Sequence, residues 1–275
     1  MSVPYAEVIG DPIAHSKSPQ IHNLWLNRLG IKGEYRLTRL SADELPTFLD
    51  GRRGDPDWRG CNVTMPLKEA APHLVERMSS AAAGTGAVNV ITPTQSGLVG
   101  GNTDVDGVVA LLPGPLSGRR ACIIGAGGAA RSAIYALASH SVHDIRIIVR
   151  RPELARDRLR NLSSGLAIFG EADASLAMTG AEIIVQASSG GMAGHAPLSR
   201  PVLEALDQAH PDASAVEMVY HPLETPFLRR TGELNFLISD GLDMLISQAA
   251  EAFRLFFGAA APDRHYRDLR ALLTS

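Results

Sequence analysis

The chain has 275 residues, 45% hydrophobic and 20% charged, with a formal net charge of −3, which excludes long disordered tracts and a basic nucleic-acid-binding surface. The length allows two compact domains, and no apolar run approaches the ~18–20 residues needed to cross a bilayer. Two cysteines, Cys61 and Cys122, widely separated and without a CxxC, exclude a disulfide framework or zinc site and point to a reducing cytoplasm; no metal is expected.

In chain order, MSVPYAEVIGDPIAHSKSP has no basic stretch leading into an apolar run, so no secretory signal is expected. YAEVI reads as a short strand ending at the turn Gly10-Asp11-Pro12. A helix follows Ser18-Pro19, with Ser18 as its cap, and stops at Gly30. EYRLTRL alternates like a half-buried strand, SADELPTFLDG predicts a helix capped by Ser41, and WRGCNVTMP a strand entering a loop. From DVDGVVALL onward the pattern changes. RRACIIGAGGAARSAIYALASH predicts strand, glycine turn and helix; IRIIV and AEIIVQAS are further apolar strands with helical stretches between them. Such alternation implies a parallel sheet covered on both faces. DGLDMLISQAAEAFRLFFG and RDLRALL carry apolar residues at helical spacing.

The turn Gly125-Ala126-Gly127-Gly128-Ala129-Ala130 fits GxGxx(G/A) between a strand and a helix. The first glycine makes the tight turn, the second lets backbone N–H groups approach a pyrophosphate, and small Ala130 lets the helix pack on the strand. The anion then sits at the positive end of the helix. After the next strand an NAD site commonly has an acid for the ribose hydroxyls. Here Arg150 and Arg151 stand there, and a guanidinium suits a 2′-phosphate, so NADP is favoured over NAD. Two solvated arginines at a strand end are the bland alternative.

Four clusters in the first 110 residues, GDPIAHSKSPQIHN, GCNVTMPLK, GAVNVI and GGNTDVDG, set small polar groups beside Gly or Pro, as rigid loops do when presenting hydroxyls and amides to a ligand. Alone, Lys68 would read as a surface lysine, Asp104 as a helix cap and Gln248 as a solvent-facing residue.

Taken in order, GDPIAHSKSPQIHN (10–23), GCNVTMPLK (60–68), GAVN (86–89), NTDVDG (102–107), GAGGAAR (125–131), Tyr220 with ETPFL (224–228) and DGLDMLISQA (240–249) resemble the shikimate dehydrogenase family over essentially the full length. The resemblance implies an α/β fold of two domains, an N-terminal substrate domain and a Rossmann-type NADP-binding domain, with C-terminal helices packing back on the first. The expected boundaries are 1–104, 105–238 and 239–275. It implies reversible, NADPH-dependent reduction of 3-dehydroshikimate to shikimate in aromatic amino-acid biosynthesis. Ser16 and Ser18 would bind the substrate carboxylate with Thr64 nearby, and Asn89 and Gln248 would meet the ring hydroxyls. Tyr220 would help close the pocket. Lys68 and Asp104 resemble the catalytic pair, with Lys68 the proton-transfer residue. Gly125, Ala126, Gly127, Gly128, Ala129, Arg131, Arg150 and Arg151 would hold the cofactor, with Met218 and Gly241 near the nicotinamide. The expected partner is the small cyclic acid, with no nucleic acid and no membrane; a homodimer is the assembly considered.

Gln186 departs from the family's usual Asn, Thr85 from an aliphatic residue, and Val149-Arg150-Arg151 from Asn-Arg-Thr. These departures leave open a quinate-type paralogue, with NAD as its cofactor, and a non-catalytic ligand or redox sensor. The intact Lys68 and Asp104 count against the sensor.

Overall fold

The computed structural model describes residues 3–163, 165–262 and 267–274. The chain divides into two compact units, Met1–Thr103 with Ile246–Ser275, and Asp104–Leu245.

The first unit opens with β1 (Tyr5–Gly10), α1 (Ser18–Leu29), β2 (Glu34–Arg39), α2 (Leu45–Arg53) and β3 (Trp58–Val63). It continues through β4 (Arg77–Met78), α3 (Ser80–Thr85), β5 (Val90–Thr94) and β6 (Gly97–Gly101), and the chain leaves it at the start of α4 (Thr103–Leu111). The sheet order is β2-β1-β3-β5-β6-β4, with β1 parallel to both neighbours and β5 antiparallel to β3 and β6. Successive side chains of a strand point to opposite faces, and β1 is buried on both. Tyr5 and Ile9 pack with Leu45, Leu49, Cys61 and Leu67 on one side. Ala6 and Val8 pack with Tyr35, Val90, Ala252 and Phe256 on the other.

Two helix starts differ from the sequence reading. Lys17, not Ser18, is the N-cap of α1, and Ser18 is already helical and buried. Ser41 caps nothing: its hydroxyl and backbone N–H donate to Glu44 at 2.7 and 2.9 Å, and α2 begins only at Leu45. The local Ser–Glu bond holds residues 42–44 as a turn instead.

The second unit contains β7 (Arg120–Ile124), α5 (Gly128–Ser139), β8 (Asp144–Val149), α6 (Pro152–Leu159) and β9 (Ala167–Gly170). Then come α7 (Ala174–Met178), β10 (Ile183–Gln186), α8 (Arg200–Ala205), β11 (Ser214–Glu217), α9 (Pro226–Glu233) and β12 (Leu237–Ser239). The chain leaves this unit within α10 (Gly241–Phe257) and ends its described part with α11 (Arg267–Thr274). The strand order is β12-β11-β10-β7-β8-β9, parallel throughout. Cys122, Ile124, Ile148, Ile184 and Ala215 face a layer that includes Ala177, Val202 and Phe227. Ala130, Ala133, Ile134 and Leu137 of α5 are also buried, so the central strands are apolar on both faces, as a covered parallel sheet requires. The C-terminal helices return to the first unit, where Phe253 lies 5.5 Å ring to ring from Trp25 of α1.

Candidate active site

In the first unit the loops after β1 and β3 are tied together. Asp11 N–H donates to Met65 O and Thr64 N–H to Ile9 O, each at 3.0 Å. Gly10 makes this approach possible: a Cβ there would lie 2.5 Å from Thr64 Cγ2 and 2.7 Å from Met65 O. The bond brings Thr64 beside the segment that carries Ser16 and Ser18. Ser16 Oγ accepts from Ser18 N–H at 3.4 Å, and Ser16 N–H donates to Ile13 O at 2.9 Å, folding the serines into one compact turn. Lys68 sits on the short helical turn Leu67–Glu69, half-buried, and its carbonyl accepts from Val88 N–H at 2.9 Å. That bond sets Lys68 beside the strand-entry residue Asn89.

Asn89 is buried, and its amide is oriented by Thr103: Oδ1 accepts from Thr103 N–H at 2.7 Å, and Nδ2 donates to Thr103 Oγ1 at 3.0 Å. The Thr103 hydroxyl reaches Gln248 Oε1 at 3.4 Å, which links the returning α10 to the same cluster. Val63 N–H donates to Asn89 O at 2.7 Å, so the end of β3 and the start of β5 meet. Ser16, Ser18, Thr64, Lys68 and Asn89 therefore gather at one end of the sheet, beyond the carboxyl ends of β1 and β3, where open α/β sheets take ligands. Asp104 is the residue after Thr103, buried in the first turn of α4 and inside the helix rather than at its cap.

The sequence reading missed the support beneath this cluster. Thr85 Oγ1 donates to Ala81 O at 2.7 Å and accepts from Asn102 Nδ2 at 3.0 Å, while Asn102 also donates to Ala87 O at 3.1 Å. Thr85 and Asn102 are both buried. The hydroxyl that departs from the family pattern thus fixes the residue that precedes Thr103.

In the second unit Gly125 adopts a φ of 119°, and a Cβ there would lie 2.9 Å from Ala187 O. Its N–H donates to Ile148 O at 2.9 Å, so the turn is bonded to the end of β8, two residues before Arg150. Gly127 is the N-cap of the twelve-residue α5 and offers no side-chain partner to the first turn. A Cβ at Gly127 would meet nothing within 4 Å, so the space ahead of the helix N-terminus is open. The donors of that first turn, with Ala126, Gly128 and Ala129, fit a pyrophosphate. Arg150 and Arg151 are exposed directly after β8. Arg131 Nη1 donates to Arg158 O at 3.1 Å, joining α5 to the end of α6. A cleft of 390 Å³ beside α6 and β9, lined by Arg156, Leu159, Arg160 and Ile168, contains none of the residues singled out from sequence.

Met218 follows β11, its N–H donating to Gln186 O at 3.0 Å. Tyr220 is half-buried, and burial pushes its phenol up from the ordinary tyrosine value. Gly241 starts α10, and a Cβ there would lie 2.0 Å from Val219 O, so this glycine is required for the helix to approach the segment holding Met218 and Tyr220. Glu217, fully buried at the end of β11, was not singled out from the sequence. A lone carboxylate closing the apolar run SAVE was the available signal.

Both cysteines are free and buried; burial pushes Cys61 well up and Cys122 up to about 12, which makes neither a nucleophile. Among the described residues no group of three His, Cys, Asp or Glu is placed to hold a metal, and no helix is long and apolar enough to cross a membrane.

Residues 8–91 match the shikimate dehydrogenase substrate binding domain, and residues 241–266 match the shikimate 5′-dehydrogenase C-terminal domain. Shikimate dehydrogenase (NADP(+)) of Sphingopyxis alaskensis is 43% identical over 99% of this chain and 97% of its own length. Shikimate 5-dehydrogenase from Thermus thermophilus, solved with NADP(H) and shikimate, superposes with a TM-score of 0.84 at 31% identity, covering 98% of this chain and 99% of that one. The Listeria monocytogenes enzyme, solved with shikimate and NAD, gives 0.87 at 26% identity over 98% of this chain and 96% of that one. On these likenesses the chain belongs to the shikimate dehydrogenase family.

Proposed function

We propose that the chain reversibly reduces 3-dehydroshikimate to shikimate with NADPH, a step of aromatic amino-acid biosynthesis. The observation that carries the reading is the gathering of Ser16, Ser18, Thr64, Lys68 and Asn89 beyond one end of the first sheet. It has the hydroxyls, amide and cation that a hydroxylated carboxylic acid needs. The first unit, completed by its C-terminal helices, is the substrate-binding part; the second, with its glycine turn and Arg150-Arg151, is the dinucleotide-binding part.

In this reading the Ser16 and Ser18 hydroxyls donate to the substrate carboxylate, with Thr64 beside them. Asn89 and Gln248 meet ring hydroxyls, their amides oriented through Thr103. When bound, NADPH would supply the hydride for the ketone carbon. Lys68 donates the proton from Nζ to the oxygen that becomes an alkoxide, and in the reverse direction accepts it; Asp104 shares the hydrogen bonding of that oxygen. Gly125, Ala126, Gly127, Gly128 and Ala129 would hold the pyrophosphate, Arg131, Arg150 and Arg151 the phosphorylated ribose, and Met218 and Gly241 would lie near the nicotinamide. The two free thiols fit a cytoplasmic enzyme, and sedimentation velocity tests whether the chain forms the homodimer considered above.

The experiment is a turnover matrix of NADPH and NADH against 3-dehydroshikimate, with shikimate and quinate for the reverse direction. Lys68→Ala should lose about 10²–10⁴-fold in turnover while still binding NADPH, the range for a positioned acid–base group. Turnover near wild type would remove Lys68 from the mechanism. A quinate preference in the wild type would replace the substrate assignment. In the same assay, Arg150→Ala with Arg151→Ala should cut the preference for NADPH over NADH by roughly tenfold to a hundredfold, since hydrogen bonds to charged groups contribute about 1.5–3 kcal/mol. An unchanged ratio would make these ordinary surface arginines.

A further inference from the structure

Glu217 and Gln186 end the neighbouring parallel strands β11 and β10, directly paired in register, and both are fully buried. Glu217 Oε1 accepts from Val219 N–H at 2.9 Å, and Oε2 accepts from the Thr225 hydroxyl at 2.7 Å. Thr225 in turn caps α9, accepting from Leu228 N–H at 3.2 Å. One carboxylate therefore holds both ends of the segment between β11 and α9, which contains Met218 and Tyr220. Gln186 does the same for the segment after β10. Its Oε1 accepts from Ser188 N–H at 2.9 Å and from Ser188 Oγ at 2.8 Å, and its Nε2 donates to Gly190 O at 2.9 Å. The longer glutamine, where the family usually has asparagine, bonds both Ser188 and Gly190.

Among the described residues no cation pairs with Glu217. Burial pushes its carboxyl up to about 7 against the donors around it, the Gln186 side chain included. A buried carboxyl costs stability that an apolar side chain at a strand end would not. The cost is offset by the two loops it and Gln186 hold.

Their place in the sheet says which loops these are. The order β12-β11-β10-β7-β8-β9 reverses between β7 and β10, and a dinucleotide lies across such a switch point at the carboxyl ends of the strands. The arginines after β8 claim the phosphorylated ribose on one side, which leaves the loops after β10 and β11 to the other end. We propose that Glu217 and Gln186 form a buried brace that positions the 187–191 and 218–225 loops for the nicotinamide half of the cofactor. They are positioning residues, not catalytic ones, and the inference rests on the NADP reading above.

The test compares two ligands of the full chain: NADPH, followed by its nicotinamide fluorescence, and the adenosine bisphosphate fragment of NADP, followed by calorimetry. The variants are Glu217→Leu, Thr225→Val and Thr225→Ser. Glu217→Leu and Thr225→Val should raise the Kd for NADPH about tenfold or more, as lost bonds to a charged group do, and leave that of the fragment within about twofold. Thr225→Ser, which keeps the hydroxyl, should restore NADPH binding. If Glu217→Leu does not fold, the Thr225 pair carries the comparison, because it leaves the carboxylate in place. Equal weakening of both ligands, or of neither, overturns the proposal and makes the brace mere core. Wild-type protein that binds neither ligand overturns the cofactor reading and this inference with it.

Discussion

Single buried polar residues account for several features of this chain that local spacing does not reveal. His22 of α1 is fully buried and stacks on Tyr35 at 4.0 Å, and among the described residues neither ring nitrogen has a hydrogen-bond partner. Burial lowers its pKa to about 3, so the native imidazole is neutral where an unfolded one would begin to protonate near 6.5. A lowered pKa on a base means that the unfolded state binds the extra proton first. Stability must fall as pH drops from about 6.5 toward about 3, by up to about 1.4 kcal/mol per pH unit. Urea unfolding at pH 6.5 and 5 should show the wild type losing roughly 1.6 kcal/mol more than His22→Leu. Parallel losses in the two proteins would show that His22 does not carry the acid sensitivity. Glu7 is a second such case. Fully buried in β1, it accepts from Trp58 Nε1 at 3.0 Å, Arg52 Nε at 2.9 Å and the Thr38 hydroxyl at 2.5 Å, joining three strands and α2. Sequence reasoning passed over Glu7 and Glu217 because every partner that explains them lies on another element or past a turn. It singled out Gly125 from a contiguous glycine turn, and Ser16 and Lys68 from contiguous motifs that resemble the family.

At the scale of elements, what was legible followed from period and turn chemistry. The strand, glycine turn and helix over residues 120–139 needed only local spacing, and the structure places them as β7 and α5. The starts of α1 and α2 were misplaced because a serine shortly before a proline or an acidic residue resembles a cap, whereas Ser18 is already helical and the Ser41 hydroxyl bonds Glu44 ahead of α2. For α10, amphipathic periodicity announced the helix, whereas the family resemblance alone named the domain it packs on. The face it covers is explicit in the structure. Phe256 lies against Ala6, Val8, Tyr35 and Val90, and its ring would meet a Cβ on Gly60 at 2.8 Å. Gly60 has a φ of 131°, so the strand twists to admit the ring. Phe256→Ala should therefore cost about 3–5 kcal/mol, the range for truncating a buried aromatic side chain. Denaturant titration checks this; a change below about 1 kcal/mol would mean that α10 is not what closes this core.

At the scale of the whole molecule, the two units differ in how the chain builds them. The second is one uninterrupted stretch, Asp104–Leu245, whereas the first is discontinuous and includes Ile246–Ser275. Contact across such a sequence separation requires closing a long loop, a cost that grows only slowly with length in free energy but slows folding more strongly. During synthesis the consequence is a matter of timing. When the ribosome has finished β6, the sheet that will hold Lys68 and Asn89 still lacks Ala252 and Phe256 over one face. At about 5–20 residues per second, that face waits on the order of ten seconds while the entire second unit is made. For that interval the nascent chain carries an apolar patch that only its own last helices can cover, so the order in which the units mature is opposite to the order in which they begin.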